Sequence, residues 1–147
     1  MKIIWLGHGS FRIETEGKVL LVDPWLSGNP ALSKEQHDAA LSGATHLILT
    51  HTHFDHVADI LPLAKAMNIP VVGQYDLMGF WGESEDIATI GFNKGGTVDL
   101  GGPKLAMVPA CHSSSFTTED GLRASGSEVG YMLISEGKTV YISGDTG

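Results

Sequence analysis

THTHFDH, residues Thr50 to His56, places three histidines and an aspartate within the six positions from His51 to His56. A strand bound for a core would fill such a stretch with Val, Ile or Phe, and a solvated loop would draw on Gly, Asn, Ser or Lys. On an extended segment, side chains two apart face the same way, so His51 and His53 can aim at one point beyond a strand end. Asp55 continues that spacing, and His56 reaches the same region once the chain turns into a helix. Adjacent ligands on opposite sides favour two cations over one. Zinc takes imidazole nitrogen at about 2.0–2.1 Å, and two ions about 3.5–4 Å apart can hold a hydroxide between them. The competing reading is a polar turn, or a helix N-terminus capped by Asp55. Four metal-binding side chains in so compact a pattern exceed ordinary loop usage.

The flanking sequence sets the motif between two elements. Thr45 to Thr50 is β-branched or Leu-rich and reads as a strand running into the histidines. Val57, Ile60, Leu61, Ala64 and Met67 then recur at helical spacing, with Pro62 early enough to cause only a kink. Upstream, Lys2 to Leu6, Ser10 to Glu14 and Val19 to Asp23 read as a β-meander, the last two joined at Thr15 to Lys18. Ser33 to Gln36 has the form of a capping box opening a short helix through Leu41. Downstream, the expected elements are a strand over Ile69 to Gly73, a short helix over Tyr75 to Trp81, one or two short strands among the turns of Gly91 to Gly102, and a strand over Leu105 to Pro109. A polar loop is expected over Ser113 to Ser127, followed by a hairpin of Gly130 to Ser135 and Thr139 to Ser143. This last hairpin echoes the first: IETEGKVLLVD (Ile13 to Asp23) against LISEGKTVYISGD (Leu133 to Asp145). Each turns at Glu-Gly-Lys and ends near an aspartate, a weak internal repeat that hints at two related halves.

The 147 residues fit one domain spanning 1–147. A net charge of −8 disfavours nucleic acid and anionic lipid as partners, and no stretch approaches the roughly 20 apolar residues that span a bilayer. The single Cys111 cannot form an internal disulfide, and MKIIWLGHGS has too short an apolar run for a signal peptide, so a reducing cytoplasm is the expected compartment.

Other candidates are weaker alone. His112 follows a strand, where a lone histidine is more often a satisfied loop or core residue, yet with the first cluster it becomes a plausible third ligand. Asp145 reads equally as a ligand and as ordinary Gly-Asp-Thr-Gly turn chemistry. Asp23, before Pro24, either initiates a turn or accepts a hydrogen bond from a ligating histidine. His8, between two glycines, is a loop histidine or a proton donor to substrate. Trp25 and Phe54 either wall a pocket or simply pack, and Ser113 to Ser115 either hydrogen-bond substrate or solvate a loop, the loop being the favoured reading.

The hexapeptide His51-Thr-His53-Phe-Asp55-His56 resembles the H-x-H-x-D-H signature of the metallo-β-lactamase superfamily, with His112 and Asp145 in the chain order of its next two ligands. LGHGSF, LVDPWLSGNP, PACHSSS and YISGDTG look like the branch of metal-dependent hydrolases similar to L-ascorbate-6-phosphate lactonase. The resemblance implies an α+β fold, an αββα sandwich with two metals at one edge. His51, His53 and His112 would hold the first, Asp55 and His56 the second, and Asp145 would bridge them. It implies two divalent ions, zinc or manganese, with iron or nickel as alternatives, and hydrolysis of a small ester, lactone or phosphorylated metabolite by a metal-bound hydroxide. Asp55 would also orient that hydroxide and move a proton, with His8 as a second catalytic group. Family members continue beyond the Gly-Asp-Thr-Gly loop to a last histidine ligand. The expectation is therefore an apparently truncated sandwich lacking one helical layer, paired with a complementing C-terminal chain or a homo-oligomer. The alternative is a metal-binding but catalytically idle partner of another subunit.

Overall fold

Tight polar turns between alternating apolar runs set the first three strands. The structure, a computed structural model, describes residues 1–118 and 121–147. Lys2–Gly7 (β1), Ser10–Thr15 (β2) and Lys18–Val22 (β3) form an antiparallel meander. The β2–β3 turn places Glu16 and Gly17 at φ +46° and +73°, the doubly left-handed hairpin turn that matches strand twist. Asp23 leaves the strand at φ +42°, which ends β3 one residue before the sequence suggests.

Three strands then join β3 in parallel: His46–Ile48 (β4), Val71–Gln74 (β5) and Thr89–Phe92 (β6). Helical segments connect them. A 3-10 turn at Lys34–Gln36, with the Ser33 amide donating to Gln36 Oε1 at 2.9 Å, leads into His37–Leu41 (α1). Between β4 and β5 lie Phe54–Val57 (α2) and Ile60–Met67 (α3), and between β5 and β6 lies Tyr75–Ser84 (α4). The one helix expected from Val57 to Met67 is thus two, and the break falls at Asp59 rather than Pro62. Asp59 Oδ2 accepts from the amides of Leu26 at 2.7 Å and Ser27 at 2.9 Å. Pro62 sits in the first turn of α3, where a missing N–H forfeits no intrahelical bond.

The second sheet begins with Thr97–Asp99 (β7) and Lys104–Pro109 (β8). The loop expected over 113–127 contains Ser115–Thr118 (β9) and Gly121–Ala124 (β10), paired antiparallel; residues 119 and 120 of that expectation lie outside the described residues. Phe116 and the β-branched Thr117 and Thr118 favour a strand despite the polar surroundings. Val129–Ser135 (β11) and Lys138–Ile142 (β12) complete an antiparallel sheet ordered β12-β11-β8-β7.

Period-two alternation in the parallel strands divides two cores. Leu20, Val22, Ile48 and Val72 face the second sheet, meeting Leu105, Met107, Tyr131 and Leu133. Their neighbours Leu21, Leu47, Leu49 and Val71 face the helices, meeting Ile60, Ala64, Leu77, Met78 and Trp81. Fully burying one such side chain contributes about 1.5–3 kcal/mol. The result is an α+β sandwich with helices over one sheet, while the other sheet exposes Ile134 and Tyr141. Two bonds lock the sheets together beside the histidine motif: Tyr131 Oη donates to the Leu49 carbonyl at 2.7 Å, and the Val129 amide to the Thr50 carbonyl at 3.1 Å.

The sequence echo is also structural. Glu136 and Gly137 repeat the turn at φ +54° and +69°. The two turns exchange hydrogen bonds, Glu136 N to Glu16 Oε1 at 3.0 Å and Glu16 N to Glu136 Oε1 at 3.4 Å. Thr15 and Ser135 hydroxyls pair at 2.7 Å behind them. No helix among the described residues is long and apolar enough to cross a membrane.

Candidate metal centre

Past the end of β4 the motif runs as an irregular segment into α2, with the Thr50 hydroxyl turned to Asp23 and His51 and the Thr52 hydroxyl to Ser114 and Ser125. His53 Nδ1 lies 3.2 Å from His51 Nε2 and 3.2 Å from His112 Nε2. Nitrogens at the corners of a tetrahedron around a zinc ion, each about 2.0–2.1 Å from it, are separated by about 3.3–3.4 Å. The two separations at His53 are close to that spacing, and all three imidazoles offer nitrogens within 4.8 Å of one another.

α2 starts immediately after His53 and turns Asp55 and His56 towards the adjoining space. His8, Asp55 and His56 form a second group of possible donors within 4.8 Å of one another. Asp145 straddles the two groups: its Oδ2 is 3.8 Å from His112 Nε2 and its Oδ1 is 3.4 Å from His56 Nε2. Gly144 makes this approach possible, since a Cβ there would lie 2.8 Å from Thr50 Cβ. Gly9 does the same on the opposite side, where a Cβ would lie 2.7 Å from His56 Cε1.

The outward nitrogens are held from behind. His56 Nδ1 is 2.8 Å from Asp23 Oδ2, His51 Nδ1 is 3.0 Å from Thr50 Oγ1, and His53 Nε2 is 3.2 Å from Ser113 Oγ. Ligating histidines are commonly anchored this way, which fixes the tautomer and the ring. Asp23 is buried, with 1% of its surface exposed, and also accepts from the Thr50 amide at 2.8 Å and hydroxyl at 2.5 Å. On the other side of the ring, buried His56 Nε2 has no hydrogen-bond partner among the described residues. An orphaned buried nitrogen is costly unless something fills the space it faces, and a cation beside His56 and the Asp55 carboxylate of the same donor group fits it.

The surroundings shift the protonation of these groups in different directions. Burial, then the neighbouring imidazoles of His56 and His53, push His51 down to about 4, leaving it neutral with a free lone pair at pH 7. Burial raises the Asp23 carboxyl against its hydrogen bonds from His56 and Thr50. Burial disfavours charged His56 as well, but the Asp23 hydrogen bond and charge outweigh it and raise its pKa. Burial works upward on Asp55, and its own backbone amide, His56 and His8 outweigh it, so its carboxylate stays ionised.

His8 occupies a left-handed conformation, φ +52°, and its carbonyl accepts from Trp5 Nε1 at 2.8 Å. Its Nε2 lies 2.5 Å from Asp55 Oδ2, and its ring meets the edge of Trp25 at 5.5 Å. Trp25 in turn lies 6.2 Å from Phe54, so both aromatic residues border this mouth.

All six expected metal-binding residues and His8 thus converge. Sequence reasoning missed Thr50, Thr52 and Ser113. Thr52 pairs with the hydroxyls of Ser114, at 3.2 Å, and Ser125, and those two serines pair at 3.0 Å. The alternation Thr-His-Thr-His carried a signal for the two threonines; three successive serines carried none for Ser113.

The sequence profile of the Beta-lactamase superfamily domain matches residues 18–147. A UPF0173 metal-dependent hydrolase of Ruegeria pomeroyi is 71% identical over 147 residues, covering 100% of this chain and 64% of its own. Its counterpart from a second Ruegeria strain is 66% identical over 146 residues, covering 99% and 64%. The chain therefore spans about two-thirds of the length of these relatives, 64% in each case. Among solved structures, Igni18, a metallo hydrolase from the archaeon Ignicoccus hospitalis, superposes with a TM-score of 0.80 at 27% identity, over 99% of this chain and 60% of that one. By profile, by relatives and by fold, the chain belongs to the β-lactamase superfamily.

Proposed function

We propose that the protein is a metal-dependent hydrolase with a dinuclear centre, acting on a small ester, lactone or phosphorylated metabolite. The observation that carries this reading is the pair of donor groups joined by Asp145, one imidazole-only and one mixed with carboxylate. His51, His53 and His112 would hold the first ion and Asp55 and His56 the second, with Asp145 placed between the two groups. The nitrogen and oxygen donors suit zinc or manganese, with iron or nickel as alternatives. When bound, two such ions supply an ionised water as nucleophile near neutral pH and a Lewis acid for the substrate's carbonyl or phosphoryl oxygen.

The chain's own groups do the rest. Asp55, held ionised, orients the nucleophile and takes its proton through a carboxylate oxygen. His8 Nε2, 2.5 Å from Asp55 Oδ2, is the proton donor to the leaving group. Asp23 and Thr50 keep His56 and His51 aimed while this happens. The relatives' names describe metal-dependent hydrolases, which agrees with this chemistry.

The test is hydrolysis of p-nitrophenyl acetate and bis(p-nitrophenyl) phosphate by metal-loaded protein, wild type and His53→Ala. Metal-dependent turnover that the variant lacks supports the enzyme. A folded, metal-loaded protein without turnover on a broad ester and phosphodiester panel would favour the idle metal-binding partner instead.

A further inference from the structure

His53 of the imidazole group also borders a cavity of about 340 Å³. Phe54 and Val57 from α2 and Phe116 and Leu122 from the β9–β10 hairpin give it an apolar wall, and the rest of the lining is His53 with the hydroxyl-bearing Thr52, Ser115 and Thr117. Phe54 and Leu122 are 70% and 69% exposed. Both line the cavity, so its rim presents two large apolar side chains to whatever enters. No lysine or arginine lines it among the described residues, although phosphate recognition relies on such cations.

The hairpin is fastened to the metal-binding loop. Thr52, between His51 and His53, pairs with Ser114 and Ser125, the residues flanking the two ends of the hairpin. Phe116 packs into the helical core against which Val57 also rests. The apolar wall is thereby held at a fixed place relative to His53.

Resting on the hydrolase reading above, we infer that this cavity receives an apolar arm of the substrate while the scissile carbonyl sits at the metals. The substrate class is then a carboxylic ester or lactone bearing a short alkyl or aryl group. A phosphorylated metabolite would find metal at one end and no cationic partner along this wall. Phe54 and Leu122 become covered when the arm is in place, which accounts for their exposure without it.

Linear alkyl hydroxamates test this on the metal-loaded protein, because the hydroxamate chelates metal and the chain length varies alone. Binding is measured by calorimetry from acetohydroxamate to hexanohydroxamate. Each added methylene buried in the cavity is expected to tighten binding about fourfold. Phe116→Ala and Leu122→Ser should flatten that series and leave acetohydroxamate within about twofold of wild type. Leu122→Ser lies at an exposed position, so it remains informative if Phe116→Ala loosens the helical core. Equal affinity across the series, or a gain with length that both variants retain, would overturn the apolar-arm site while leaving the metal centre standing. Failure of even acetohydroxamate to bind would overturn the metal-centre reading and this site with it.

Discussion

Asp23→Asn should weaken the ion on the His56 side specifically. In the native site Asp23 Oδ1 accepts from the Thr50 amide at 2.8 Å, while Oδ2 faces the Thr50 hydroxyl at 2.5 Å and His56 Nδ1 at 2.8 Å. An asparagine keeping its oxygen on the Thr50 amide must place its NH₂ where Oδ2 was. The Thr50 hydroxyl can rotate to accept from that NH₂. An imidazole cannot rotate its proton away and adapts by changing tautomer, moving the proton from Nδ1 to Nε2. That puts a proton on the buried nitrogen that faces Asp145 Oδ1 at 3.4 Å, where an ion would otherwise bind. Loss of such an outer-shell partner weakens metal affinity about 10–100-fold, or about 1.4–2.7 kcal/mol. The assay is competition of metal-free protein against a chromophoric zinc chelator, resolving the two binding steps. The weaker step should fall by that factor while the step belonging to His51, His53 and His112 holds within about threefold. Unchanged affinity in both steps, or equal loss from both, would refute the tautomer argument.

Three further outcomes follow from the same geometry. Asp55→Asn should reduce turnover far more than metal content, read by elemental analysis beside the ester assay; equal losses would make Asp55 a ligand alone. Gly144→Ala places a Cβ 2.8 Å from Thr50 Cβ at a residue with φ +58°, and should lower unfolding stability by about 1–3 kcal/mol, seen as a lower Tm and contradicted by an unchanged one. Tyr131→Phe removes the fully buried hydroxyl that bridges the sheets at 2.7 Å. It should cost about 1–3 kcal/mol in denaturant unfolding, and a neutral result would mean that this hydroxyl contributes nothing net to holding the sheets together.

What could be read from the sequence is what lies close together in it. THTHFDH declares its own geometry, since alternation on a strand end and one helical turn suffice to aim His51, His53, Asp55 and His56. The echo of Glu-Gly-Lys hinted at two related halves, but the hydrogen bonds by which Glu16 and Glu136 join the two turns had no signal in the sequence. The features that escaped depend on contacts between distant segments. Helix α3 starts where it does because Asp59 holds the amides of Leu26 and Ser27, a contact with no local signature. The β9–β10 hairpin was hidden by its Ser and Thr content, and its attachment through Thr52, Ser114 and Ser125 joins positions more than sixty residues apart. Ser113 reads as loop solvation until His53 is found beside it.

Metal stoichiometry, measured by elemental mass spectrometry on protein purified without chelator, bears most directly on the dinuclear centre. In the proposed centre His51, His53 and His112 would hold one ion and Asp55 and His56 the other, with Asp145 shared between them. The expected value is close to two ions per chain, falling to one or fewer in His51→Ala. One ion or none in the wild-type protein would contradict the dinuclear centre.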